Sequence, residues 1–218
     1  MPVRAVFFDI GETLIDETRI WSAWADWLGV PRLTFLGALG SVIERGEHHL
    51  EVFKLFRPDF ELDREETARA AAGIPNLFDA RDLYPDVLEC VQALKAHGYF
   101  VGLAGNQHAW AGPLMEGFGL PVDFVGVSEA LGVAKPAPEF FERLVEASRL
   151  PAQEIAYVGD RLDNDVIPAK AAGMVSVFLR RGPWGVIHAR RPEAAQADIR
   201  ILGLTELPGA LRLYSKRA

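Results

Sequence analysis

The chain is expected to fold as an α/β domain, a doubly wound parallel sheet interrupted by a helical insert. Three observations predict this. Short apolar runs alternate with segments of helical periodicity, and that order is the signature of a parallel sheet wrapped by helices. The strand-like runs are apolar throughout rather than alternating, as strands covered on both faces are. Between about residues 16 and 80 the alternation stops and only helical spacing remains.

The first strand is residues 3–8 (VRAVFF), β-prone and punctuated by Gly11. In the insert, Trp21, Trp24, Trp27 and Leu28 recur at helical spacing, and Leu36, Leu39, Val42 and Ile43 do so again. Asp63 is expected to cap a helix running through Ala72, with Glu66 at the capping-box position. These stripes read as the insert's own core plus a contact with the main domain, in preference to a ligand box. The boundaries follow: residues 1–15 and 81–218 form the core, and 16–80 the insert. Strands are then expected at 100–104 (FVGLA), 124–127 (FVGV), 155–158 (IAYV) and 175–179 (VSVFL), with a weaker sixth at 199–202. Helices are expected at 85–97, 110–118, 138–148 and 163–172, and one capped near Thr205 closes the chain.

Half of the 218 residues are hydrophobic, enough for a large core in one domain with a smaller insert. The net charge of −7 argues against a nucleic-acid partner, and the Arg190-Arg191 pair is too short and too diluted by Pro192 and Glu193 to form a basic patch. Cys90 is the single cysteine, so no internal disulfide forms. A reducing, cytoplasmic location is expected, and Cys90 reads as core filler within a helical pattern. No run is apolar enough to span a bilayer, and the N-terminus looks like a strand rather than a secretory signal. The sequence leaves the oligomeric state open.

Ligands of such sheets bind beyond the carboxyl ends of the strands. After the first strand comes Asp9-Ile10-Gly11-Glu12-Thr13; after the second, Gly105-Asn106-Gln107. Past the third lies Lys135-Pro136, and after the fourth comes Gly159-Asp160-Arg161-Leu162-Asp163-Asn164-Asp165. Asp9, Asp160 and Asp165 are thereby gathered at one edge. Like charges that close are costly unless a cation neutralises them, and hard oxygen ligands without His or Cys suit Mg²⁺. One of Asp160, Asp163 and Asp165 is free to cap the next helix, but capping does not explain Asp9 and Lys135. A carboxylate at Asp9 can attack phosphorus, and Lys135 supplies a point charge beside it.

These stretches, FFDIGETL, VGLAGNQ, GVAKPAPEFF and YVGDRLDNDVIPAKAAGM, together resemble the haloacid dehalogenase-like (HAD) superfamily, and the resemblance covers nearly the whole chain. It implies a Rossmann-like core, a helical cap formed by the insert, and Mg²⁺. It places the nucleophile on Asp9, the lysine on Lys135, and metal ligands on Asp9, the Gly11 carbonyl, Asp160 and Asp165. Gly105 and Asn106 fall where substrate phosphate is held. The implied activity is hydrolysis of a small phosphorylated metabolite through an aspartyl-phosphate.

Two positions depart from the pattern. Gly11 stands where phosphatases of the family carry an Asp general acid, whose loss costs on the order of 10²–10⁴ in rate. Gly105 stands where a Ser or Thr hydroxyl holds the phosphate, a donor worth about 10²–10³. Two other readings therefore stay open: a catalytically impaired metal- or ligand-binding protein of the same fold, and a haloacid dehalogenase, which the acidic fourth turn disfavours. Glu12 is weighed as a replacement acid, but neighbours in extended backbone point to opposite sides, so it is expected to face away from Asp9. His108 is weighed likewise and read as a solvent-facing helix-start residue. His48 and His49, as helical neighbours, are a poor metal pair. Of Arg180 and Arg181, one is expected at substrate and the other in solvent.

Overall fold

The structure is a computed structural model and describes residues 2–74 and 78–217. The chain divides into two compact units. One joins the residues up to Ile15 with those from Leu83 onward, and the other is Asp16–Asp82.

The first unit is built on six parallel strands. They are β1 (Ala5–Phe8), β2 (Phe100–Gly105), β3 (Phe124–Val127), β4 (Ile155–Gly159), β5 (Val175–Leu179) and β6 (Ile199–Ile201), in the spatial order β3-β2-β1-β4-β5-β6. All six fall where apolar runs predict them, and β1, β2, β4 and β5 are almost wholly buried. In chain order the helices of both units are α1 (Thr18–Leu28), α2 (Arg32–Glu44), α3 (Glu51–Lys54), α4 (Leu62–Ala71), α5 (Val87–Ala96), α6 (Ala111–Glu116), α7 (Ser128–Leu131), α8 (Pro138–Ser148), α9 (Ile167–Ala171), α10 (Gly182–His188) and α11 (Leu207–Arg217). On one face, Phe140, Phe141 and Leu144 of α8 and Ala169 of α9 pack around Phe7 and Tyr157. Gly102 is required there, because the Phe7 ring lies 2.4 Å from where a β-carbon would sit.

Several boundaries differ from expectation for local reasons. Helix α5 ends before Gly98, whose φ of 79° breaks the helix. The segment expected as one helix over 163–172 begins instead as a π turn, Leu162–Val166, and becomes α-helical only at Ile167. Pro168 lacks the N–H that a regular ladder would need from it. Closing helix α11 starts at Leu207, with Thr205 inside a preceding 3₁₀ turn.

The register sets the site. Phe8 lies level with Leu103 of β2 and Val158 of β4, and the Asp9 N–H donates to the Val158 carbonyl at 2.9 Å. Asp9 is thus the first residue beyond β1, beside the ends of β2 and β4. The chain leaves β1 toward β2 on one side and returns as β4 on the other, so Asp9 and Asp160 flank the topological switch point.

The second unit holds α1 to α4. Its core is aromatic: Phe53 stacks on Phe60 with centroids 4.1 Å apart, and Trp24 meets Phe53 edge-on at 5.0 Å. Trp21 and Trp24 are buried as the stripe predicts, but in α2 Phe35 takes the buried place expected of Leu36. The Asp63 cap is corrected. Glu61 precedes α4 in extended conformation with no side-chain cap, and Asp63 lies exposed in the first turn. There its charge favours the helix N-terminus without a specific bond. His48 and His49 are also corrected. They sit ahead of α3 rather than within a helix, and their rings stack at 4.4 Å.

Candidate active site

Lys135 is the centre of the cluster. Its side chain is nearly inaccessible, and its Nζ donates to Asp9 Oδ1 and Asp165 Oδ1, both at 2.6 Å. Burial disfavours the ammonium, but Asp165 and then Asp9 outweigh it and hold Lys135 well above the ordinary lysine value. Asn106 fixes the lysine from behind. Its Oδ1 accepts the Lys135 N–H at 2.8 Å and its Nδ2 donates to the Lys135 carbonyl at 2.9 Å. The side chain read from sequence as a phosphate donor therefore clasps the lysine backbone.

Asp165 reaches back from the π turn to the end of β4. One oxygen takes Lys135 and the other accepts the Arg161 N–H at 2.9 Å. Gly159 makes room for this, since a β-carbon there would stand 2.3 Å from the Asp165 carboxyl carbon. Burial is the main cause that raises Asp165 to about 6, opposed by Lys135. Asp160 is also buried, and its Oδ2 has no hydrogen-bond partner among the described residues. Burial, then Asp165, Asp9 and Glu12, push its carboxyl well above the usual range.

The ligand atoms of Asp9, Asp160 and Asp165 all lie within 4.8 Å of one another. The Lys135 ammonium bonds two of the three carboxylates, and a buried oxygen of the third, Asp160, is left without a donor among the described residues. An all-oxygen, anionic, undersatisfied donor set fits a hard divalent cation.

Gly105 closes one side. A β-carbon there would lie 2.9 Å from Asp9 Oδ1, so the carboxylate occupies the space a serine or threonine side chain would enter. Glu12 overturns the argument made for it. Its backbone is left-handed at φ 52°, not extended, so alternation does not apply. Its carboxylate is buried and accepts the Tyr84 hydroxyl at 2.7 Å. It also fills the space beside Gly182, whose β-carbon would fall 2.3 Å from Glu12 Oε2.

The remaining candidates separate cleanly. His108 is half-exposed, 3.6 Å from Glu129. Arg181 is not solvated. It donates to the Thr13 carbonyl at 2.9 Å, pairs with Asp86 and covers the Tyr84 ring at 4.2 Å. Cys90 is buried, and burial pushes its thiol up to about 12. Sequence reasoning missed Tyr84 and His188, whose buried Nδ1 accepts the Leu162 N–H at 3.1 Å at the start of the π turn. Neither carries a local signal, because each partner lies far along the chain.

A parallel sheet with carboxylates and a lysine at its switch point, and a helical insert after its first strand, defines a class of α/β hydrolases. The model of haloacid dehalogenase-like hydrolases matches residues 3–173, and the chain belongs to that family. A glyceraldehyde 3-phosphate phosphatase of Methanopyrus kandleri is 32% identical over 209 residues, covering 88% of this chain and 90% of that one. One of Pyrococcus furiosus is 25% identical, covering 98% and 94%. Among solved structures, a HAD phosphatase from Thermococcus onnurineus superposes with a TM-score of 0.61 at 24% identity, covering 96% of this chain and 98% of that one. A HAD-superfamily hydrolase from Geobacter sulfurreducens reaches 0.68 at 21%, covering 96% of each chain. No helix among the described residues is long and apolar enough to cross a membrane.

Proposed function

We propose that the chain is a phosphatase acting on a small phosphorylated metabolite, with Asp9 as nucleophile. The observation that carries this reading is the buried Asp9–Lys135–Asp165 cluster beside the undersatisfied Asp160. Asp9, Asp160 and Asp165, with the Gly11 carbonyl, would hold Mg²⁺, which supplies charge compensation for phosphoryl oxygens. An Asp9 oxygen attacks phosphorus, the ester P–O bond breaks, and the leaving oxygen departs with its electron pair. Water then cleaves the acyl phosphate, releasing inorganic phosphate and restoring the carboxylate. Lys135 holds and aims the Asp9 carboxylate, and its ammonium faces the developing charge. Asn106 acts by fixing that lysine, and the Gly105-Asn106 turn borders the phosphoryl group. The helical insert, residues 16–80, is read as the cap that the family resemblance implies. The two named relatives support a triose phosphate as the first substrate to test.

Gly11 offers no side chain to protonate the leaving oxygen, so esters with good leaving groups are turned over best. With Mg²⁺, p-nitrophenyl phosphate is expected to be hydrolysed and Asp9→Asn to abolish it. Turnover that survives in Asp9→Asn sinks the mechanism. Absence of any turnover while Mg²⁺ still binds selects the impaired binding protein instead.

A further inference from the structure

An arginine-lined cavity lies at the far edge of the sheet. A cavity of about 500 Å³ is lined by Arg180, Arg190 and Arg200 over Phe178, Ile201 and Leu202. The pleat builds it. Phe178 and Arg180 are two apart and share one face, and the parallel register sets Arg200 of β6 beside Phe178 of β5. The Arg180 N–H donates to the Ile201 carbonyl at 2.9 Å, which locks the strand ends together. Arg190 enters from the turn after α10. Three separate segments therefore bring three arginines to the lining of one concavity.

No carboxylate lines it, and neither Arg180 nor Arg200 is paired with an acid among the described residues. This is unusual in a chain of net charge −7, where the other arginines near the sheet ends, Arg161 and Arg181, are both paired. Arg180 and Arg200, like-charged and without an acidic partner among the described residues, favour an anion. Guanidinium forks match the oxygens of a phosphate or phosphonate in bidentate fashion. A volume in the range of small-molecule pockets, with Phe178, Ile201 and Leu202 as an apolar wall, leaves room for an organic body as well as the charged head.

We propose that this cavity binds a small organic phosphate, at a site separate from Asp9. None of its lining residues belongs to the carboxylate cluster, so the inference stands whether or not Asp9 turns substrate over.

Phenylphosphonate is a suitable probe, because it carries the dianionic head and an apolar ring but no hydrolysable ester. Calorimetric titration in EDTA, at low salt, is expected to show binding to the full chain and to Asp9→Asn alike. Arg180→Ala/Arg200→Ala is expected to weaken it by about tenfold or more, since each charge-assisted fork contributes a few-fold to tenfold. Arg200→Gln alone, at an exposed edge-strand position, is expected to weaken it several-fold and serves if the double variant does not fold. No binding to the full chain at about 10 mM probe, binding undiminished in the arginine variants, or binding lost in Asp9→Asn would each overturn the proposal.

Discussion

Alanine at Gly182 tests how the loop after β1 is held. Gly182 has φ 62°, a conformation that costs a residue with a β-carbon about 1–2 kcal/mol. The added carbon would fall 2.3 Å from Glu12 Oε2 and 2.8 Å from Glu12 Cβ, so the carboxylate must leave the Tyr84 hydroxyl it accepts at 2.7 Å. Losing a hydrogen bond to a carboxylate costs about 1.5–3 kcal/mol. Gly182→Ala is therefore expected to destabilise by about 2.5–5 kcal/mol. In a Glu12→Gly background only the backbone cost remains, about 1–2 kcal/mol. Urea unfolding of the four proteins at pH 7, with m-values checked for equality, measures the coupling. A coupling of about 1.5–3 kcal/mol is expected; additivity within about 0.5 kcal/mol would refute the reading that Gly182 exists to seat Glu12.

Other outcomes follow from the same geometry. If Mg²⁺ binds as proposed, it is expected to stabilise the unaltered protein by about 2.7 kcal/mol at a hundredfold excess over Kd, and Asp160→Asn is expected to abolish this; thermal melts with and without the ion decide. Asn106→Ala removes both bonds to the Lys135 backbone and is expected to lower kcat on p-nitrophenyl phosphate by about 10–100-fold through misplacement of the ammonium. A variant with unaltered kcat would show that the clasp is dispensable. Asp198 is pushed up by burial, but Lys170 and the N–H and hydroxyl of Ser176 outweigh this and hold it below the ordinary aspartate value of 3.8. Its contribution is present above that value and lost as pH falls through the lower folded one, so below about pH 4 the urea midpoint should fall more steeply than in Asp198→Asn. Cys90, with its thiol near 12 and its side chain buried, is expected to resist Ellman's reagent at pH 8 in buffer and to react in urea; rapid reaction in buffer would contradict its burial.

The sheet was legible because strands covered on both faces write themselves as unbroken apolar runs, and parallel order then fixes which turns meet. Asp9 and Asp160 followed from that geometry, since each stands just past a strand end, and Lys135 and Asp165 lie in the segments that follow β3 and β4. What resisted reading depends on partners remote in sequence. The left-handed backbone of Glu12 is sustained by Tyr84 and Gly182, 72 and 170 residues away, and nothing beside Glu12 announces either. Asn106 presented itself as an amide at a phosphate turn, yet its two bonds go to a backbone segment 29 residues on. The Asp63 cap failed for a smaller reason: several acidic residues crowd that helix start, and pattern alone does not say where the first turn closes.

The contact between Gly105 and Asp9 also limits how this sequence can change over time. A serine hydroxyl, the usual phosphate holder of the family, would enter at residue 105 on a carbon 2.9 Å from Asp9 Oδ1, the oxygen held by Lys135. The carboxylate must turn before the hydroxyl fits, and turning it strains the ion pair. Restoring the common residue is thus not a one-step improvement, and a selection experiment that varies position 105 alone would discard it. Libraries that also vary the neighbours of Asp9, Ile10 among them, open the route that single substitutions close.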